Sequence, residues 1–308
     1  MKAYIFALKN STIEADVVSF LSTMGVACSY DMDAADFTIV LGGDGSVLAA
    51  GRKGVPNPIL VINTGHLGFL TSTDKENYQE AIKSFLQGSY TLTKRRTLRV
   101  RVVPFRPLDK FREYNAVNEV VISKNQLAKL VKVGVYVMDR DGPDYQEPGA
   151  LDELWRAKYD FNRTKLGVAE DKARDAADRT IASVQQAKLE LVCEYRADGL
   201  IVSTPTGSTA YNLSAGGPII HPSCENIVIT PICPQGLSQR PLVLSNDVRI
   251  RIKPLSDDLY VSVDGQEICP MHGNVDVFCN SHRMEIVNPS FTYYQILRQK
   301  LGWGVKLV

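Results

Sequence analysis

A glycine-rich turn, Gly42-Gly43-Asp44-Gly45-Ser46, directly follows an apolar run at residues 37–41 and precedes a helical stretch opened by residues 47–50. Glycines at a strand-to-helix junction commit the chain to a βα unit. Main-chain N–H groups and the positive helix end converge there, and glycine lets an anion approach closely. A second turn of this kind, Thr206-Gly207-Ser208-Thr209-Ala210-Tyr211, follows Asp198-Gly199 and the apolar run at 200–203. A loop built only to hold phosphate would exclude an acid, so Asp44 reads as a base or as the partner of a divalent cation that shields phosphates. The bland alternative is a helix N-cap, which aspartate serves well.

The pattern around the first turn predicts strands at 3–8, 37–41 and 58–62 and helices at 13–24 and 76–86. Apolar strands without alternation imply a parallel sheet covered on both faces, with ligands beyond the carboxyl ends of the strands, where Asp44 and Asn63 fall. After about residue 93 the chain turns to short runs rich in Val, Ile and Thr, at 98–103, 117–122, 131–137, 189–195, 227–230, 248–252, 259–263 and 275–278. Such spacing predicts a second, all-β sandwich-like domain. Asp264-Gly265 and Asn246-Asp247 read as hairpin turns within it, and residues 291–303 read as helix.

Residues 139–188 interrupt this regime with a helical pattern. Leu151, Leu154, Trp155 and Tyr159 share one face, and Ala173, Ala177, Ile181, Val184 and Leu191 approximate another. If the runs at 131–137 and 189–195 pair, about 50 residues stand where a short turn would suffice. An αα-hairpin is expected, either as a surface decoration or oligomer contact, or as a lid or partner-binding arm anchored by Trp155 and Tyr159.

Composition narrows the function classes. At 308 residues two domains are expected. With 35 basic and 34 acidic side chains, net charge +1, nothing draws the chain to nucleic acid or an anionic membrane. Lys94-Arg95-Arg96, the densest basic run, reads as a solvated strand start. The N-terminus offers no signal-like apolar segment and no run approaches the ~20 apolar residues of a membrane span, so a cytoplasmic protein is expected. The six cysteines form no C-x-x-C pair and read as reduced, buried thiols; the four histidines show no i,i+4 pairing, so no His-built metal site is expected.

Four blocks carry a family resemblance: residues 39–46 around Gly42-Gly43-Asp44-Gly45-Ser46; Asn63-Thr64-Gly65-His66-Leu67-Gly68-Phe69-Leu70; Asn118-Glu119; and residues 197–211 from Asp198-Gly199 to Tyr211. In this order they resemble the signature blocks of NAD kinases, over residues 1–138 and 189–308. Ser46 stands where the family more often has threonine, and the 139–188 segment has no counterpart. The resemblance implies a Rossmann-like α/β domain of residues 1–93 completed by about 290–308, and a β-sandwich NAD-binding domain of 94–289 broken by the helical insertion.

It also implies chemistry. Asp44 would take the proton from the acceptor hydroxyl, while Gly42, Gly43, Gly45 and Ser46 leave room for the donor's phosphates and Mg²⁺. Glu119 would accept from ribose hydroxyls and Asn118 read a base edge, although by spacing alone this pair is a turn. Asp198 would bind a carboxamide with Arg196 near a phosphate or ribose; Thr206, Gly207, Ser208, Thr209 and Ala210 would donate to phosphate, as their composition also suggests, and Tyr211 would stack on adenine. Asn63 and Gln266 would be further contacts to the dinucleotide; His66, in the same block as Asn63, reads by default as a partly exposed loop histidine, and His221 as a turn filler. The activity implied is phosphorylation of the adenosine ribose 2′-hydroxyl of NAD by ATP or polyphosphate to give NADP, in a homodimer or homotetramer. Arg196 favours oxidised NAD. A lipid or sugar kinase with the same Gly-Gly-Asp-Gly turn, and a catalytically silent NAD sensor, are the alternatives.

Overall fold

A computed structural model describes residues 1–8, 12–56, 58–65, 68–105, 112–124, 129–139, 156–186, 189–288 and 292–303. The first third alternates β1 (Lys2–Ala7), α1 (Glu14–Thr23), β2 (Ala27–Ser29), β3 (Phe37–Leu41), α2 (Asp44–Lys53), β4 (Ile59–Asn63), β5 (Thr73–Asp74) and α3 (Tyr78–Leu86). Every residue of β3 is buried because both sheet faces are covered. Ile39 and Leu41 pack with Leu21 of α1 and Ile82 and Phe85 of α3, whereas Val40 packs with Val47 and Ala50 of α2. Each such aliphatic side chain contributes roughly 1.5–3 kcal/mol by its burial, which explains why the strand reads apolar at every position. The helix α2 ends in Gly54 at φ +69°, with Arg52 and Lys53 in its last turn and Asp44 in its first, matching charge to the helix dipole at both ends.

The remaining strands are β6 (Thr91–Pro104), β7 (Arg112–Ala116), β8 (Glu119–Lys124), β9 (Val131–Asp139), β10 (Glu190–Ala197), β11 (Gly199–Ser203), β12 (Asn226–Ile232), β13 (Leu242–Ser245), β14 (Val248–Pro254), β15 (Leu259–Val263), β16 (Glu267–Pro270) and β17 (Gly273–Asn288). Helix α4 (Glu170–Gln186) lies between β9 and β10, the short α5 (Tyr211–Ser214) follows β11, and α6 (Tyr293–Leu301) follows β17. One antiparallel sheet runs β13-β12-β11-β8-β15-β16. The other is mixed, in order β10-β9-β14-β17-β4-β3-β1-β2, with β5 on β4 and with β6 pairing β17 and β7.

A single core lies between the two sheets. Leu98, Val100, Ile250, Ile252, Val275 and Val277 from the mixed sheet meet Val120, Ile122, Leu200, Val202, Ile227 and Ile229 from the other. The α/β sheet with an all-β sandwich and a helical insertion, as expected from the run lengths, is therefore the fold. The long β17 continues from the sandwich into the parallel sheet, pairing with β14, β6 and, at Ile286↔Ile59, with β4.

Some local expectations need correction. Asp264-Gly265 does turn the β15–β16 hairpin. Asn246-Asp247 instead carries the chain from β13 in one sheet to β14 in the other, because the two flanking strands pair with different partners. Strands β9 and β10 pair antiparallel. Between them a helical segment at 156–165, ending in a wide π-type turn at Phe161–Lys165, leads to α4, where Ala173 and Ala177 are fully buried. Leu191, grouped by pattern with the helical face, is exposed on β10. Leu151, Leu154 and Trp155 lie outside the described residues, as does His66. None of the six cysteines forms a disulfide, yet only Cys269 and Cys279 are buried, and Cys233 is exposed in a turn. No helix among the described residues is long and apolar enough to cross a membrane.

Candidate functional site

Asp44 is the first residue of α2, and Gly43 is its cap. The carboxylate does not cap the helix, which corrects that alternative. It reaches the loop beyond β4, where Oδ2 accepts the Phe69 N–H at 2.8 Å and Oδ1 accepts the Leu70 N–H at 3.0 Å. Gly68 permits this approach, since a Cβ there would lie 2.0 Å from Asp44 Oδ1. Two of the carboxylate's four acceptor positions are taken by these N–H groups, and the rest remain available to a ligand.

The second glycine-rich turn is fastened to the β7–β8 connection. Thr204 donates its N–H to Asn118 O at 2.8 Å and its hydroxyl to Val117 O at 2.7 Å. A Cβ on Gly207 would fall 2.2 Å from Asn118 O, so the turn lies against main chain and only glycine fits. The pivot on the other side is Asp264, read from sequence as a turn residue only. Its buried carboxylate accepts the N–H groups of Val117, Asn118 and Glu119 at 3.0, 2.8 and 3.2 Å and pairs with Arg52 of α2 at 3.2 Å. The bend at 116–118 wraps this carboxylate, which is why β8 begins at Glu119 rather than at Val117.

Two neighbouring clefts result. The first, of about 140 Å³, is lined by Asp44, Phe69, Leu70, Arg95, Asn118, Pro205, Thr206, Thr209, Ala210, Pro222 and Tyr293. The second, of about 410 Å³, is lined by Glu119, Val121, Ser123, Asp198, Tyr211, Ile232, Ser262, Asp264 and Gly265. The adjacent residues Asn118 and Glu119 serve one cleft each, as do Ala210 and Tyr211. The remaining sequence candidates line neither. Gly42, Gly43, Gly45 and Ser46 form the turn behind Asp44. Asn63 is buried and closes its own turn, donating to Gly65 O and accepting from Gly65 N–H. Gly207 serves the close approach described above, and the buried Ser208 hydroxyl donates to Pro205 O and accepts from Ile220 N–H. Arg196 and Gln266 are exposed. His221 accepts the Ser223 N–H at Nδ1 and sets its ring edge-on to Tyr293, 4.8 Å between centroids.

Electrostatics distinguish two of the lining residues. Burial, reinforced by the nearby Asp264 carboxylate, pushes the Glu119 carboxyl up to about 8, and its Oε2 has no hydrogen-bond partner. Arg95 is 6% exposed, so the solvated reading of this basic run fails at its middle residue. Strand alternation turns Arg95 inward while Lys94 stays exposed. Burial lowers its guanidinium to about 10 against the opposing pull of Tyr293 and Asp44, so it stays charged at neutral pH. Arg95, Phe69, Leu70, Tyr293 and Asp264 are the residues that sequence reasoning missed. Among the described residues, no three His, Cys, Asp or Glu side chains come together as a metal-holding group.

The family model for the ATP-NAD kinase N-terminal domain matches residues 3–90, and that for the ATP-NAD kinase C-terminal domain matches residues 178–287. An NAD kinase of Geobacter metallireducens is 33% identical over 299 residues, covering 95% of this chain and 87% of that relative. One of Escherichia coli O7:K1 is 34% identical over 281 residues, covering 89% of this chain and 78% of the relative. The chain belongs to the NAD kinase family. Two solved structures share its fold at 22% identity. Yeast NADH kinase complexed with NADH has a TM-score of 0.73, covering 100% of this chain and 89% of that one. An NAD kinase from Archaeoglobus fulgidus in complex with ATP has a TM-score of 0.68, covering 98% of each.

Proposed function

We propose that this protein transfers the γ-phosphoryl group of ATP to the 2′-hydroxyl of the adenosine ribose of NAD, giving NADP and ADP. The observation that carries the reading is the Asp44 carboxylate, fixed by two main-chain N–H groups, facing the same cleft as Asn118 and the Thr206–Ala210 turn. In this reading Asp44 accepts the hydroxyl proton as the 2′-oxygen forms its bond to the γ-phosphorus. The bond from that phosphorus to the β,γ-bridging oxygen breaks, and its electron pair leaves on ADP. Such a transfer is governed by positioning, charge neutralisation and proton removal. In the second cleft Glu119 offers an unpartnered oxygen to ribose hydroxyls, with Asp198 beside it for the carboxamide and Tyr211 for stacking on adenine.

Mg²⁺ enters this reading as part of the substrate, MgATP. Among the described residues Asp44 is the one carboxylate lining the first cleft, and it already serves two N–H groups. That donor set suits a cation carried on phosphates, as Mg²⁺ commonly is, rather than a cage of protein ligands. In the turn at the start of α2 the Gly42 N–H is bonded to Ile62 O and the Ser46 N–H to Gly43 O, so Gly43 and Gly45 are the glycines whose N–H groups would meet the donor's phosphates. Arg196 is exposed and outside both clefts, so the preference for oxidised NAD is not carried forward. A division at about residues 93 and 290, assembly as a dimer or tetramer and a cytoplasmic location belong to the same reading; the assembly rests on the resemblance alone.

The test is direct. Purified protein incubated with NAD and MgATP should form NADP in an assay specific for NADP. Absence of NADP with ATP and with polyphosphate, in protein that binds NAD, would overturn the proposal.

A further inference from the structure

Three buried polar atoms without a hydrogen-bond partner belong to residues lining one cleft: Arg95 Nε, Thr206 Oγ1 and Tyr293 Oη. All three carry a hydrogen to donate. Arg95 and Thr206 are each 6% exposed, so water does not readily satisfy them, and a buried donor left unpaired is costly. The acid in the same cleft does not serve them, because the bonds of its carboxylate run to Phe69 and Leu70. Three donors, one of them a cation, converging on one small space call for an anion with several acceptor oxygens.

The neighbourhood narrows the anion further. A site built simply to store an anion would not place Asp44 against it. A tetrahedral phosphoryl group next to a proton acceptor resolves the conflict, since the incoming oxygen gives up its proton there as the phosphoryl arrives. Tyr293 reaches the cleft from the C-terminal helix α6, whose start is fixed by the reciprocal Thr292 and Gln295 capping pair. The His221 ring braces it from the side. We infer that Arg95, Thr206 and Tyr293 hold the phosphoryl group as it passes from ATP to the ribose oxygen, and retain it as the 2′-phosphate of NADP. This inference rests on the kinase reading above, and it makes the last helix part of the site.

The experiment compares NADP with NAD binding by calorimetry in wild-type protein and in Arg95→Met and Tyr293→Phe, together with turnover. Arg95→Met keeps the buried length without the donors, and Tyr293→Phe removes one hydroxyl only. The inference expects Arg95→Met to weaken NADP by about tenfold or more and NAD by less than about twofold, since hydrogen bonds to charged groups are the stronger ones. Tyr293→Phe should act in the same direction by a few-fold, Arg95→Lys should recover part of the loss, and kcat should fall in step with NADP affinity. Equal losses for NADP and NAD, or no loss for either, would overturn it. The binding contrast needs no turnover. A wild type that forms no NADP, but whose preference for NADP over NAD falls with Arg95→Met, overturns the kinase reading and keeps the phosphate site.

Discussion

Glu119 makes the protein's stability depend on pH in an unusual direction for an acid. Its folded-state value of about 8 lies above the 4.5 of a free glutamic acid, so between those limits the folded protein holds a proton that the unfolded chain has lost. Stability therefore falls as pH rises through that window, by at most roughly 5 kcal/mol for a shift of this size. Glu119→Gln, neutral at every pH, should match wild type near pH 5 and be the more stable protein near pH 9 in denaturant titrations without ligand; parallel profiles would contradict the burial argument. Glu119 is legible in sequence only as one of an exposed-looking polar pair. What raises it is burial, reinforced by the carboxylate of Asp264, 145 positions away, and no local pattern reports a partner at that distance. Arg95 was missed for the same reason: a Lys-Arg-Arg run looks solvated until strand alternation and the packing of α6 turn its middle residue inward.

At the scale of elements, the parallel sheet was legible because β3 and β4 are apolar without alternation and β3 runs straight into Gly42. The run at 37–41 is β3, residue for residue. The Asn246-Asp247 error has a physical origin, since a polar turn between two apolar runs looks the same whether the runs pair with each other or diverge into different sheets. The helical insertion stood out through its change of periodicity. Strands β9 and β10 already pair from Val131↔Ala197 to Val137↔Glu190, and none of residues 156–186 lines either cleft. Replacing residues 141–188 by a short turn should therefore leave NADP formation within about threefold of wild type, because closing a shorter loop carries no entropic penalty. A folded deletion protein with more than about tenfold less activity would show that the insertion takes part in the site.

For the molecule as a whole, β17 joins the sheet that presents Asp44 to the sandwich that presents Asn118, Glu119 and the Thr206–Tyr211 turn. The Asp264 and Arg52 pair adds a second tie, linking the β15–β16 hairpin to α2. Four sequence blocks scattered over more than 160 positions thus meet at the carboxyl ends of the parallel strands, as such sheets favour. The proposed chemistry turns on Asp44 accepting the proton of the attacking hydroxyl. The measurement that tests it is the rate of NADP formation by Asp44→Asn beside wild type, with thermal stability and NAD affinity recorded on both. A loss of at least about 10²-fold in rate is expected, with the fold and NAD binding retained. A folded variant that binds NAD and keeps a rate within a few-fold of wild type would contradict it.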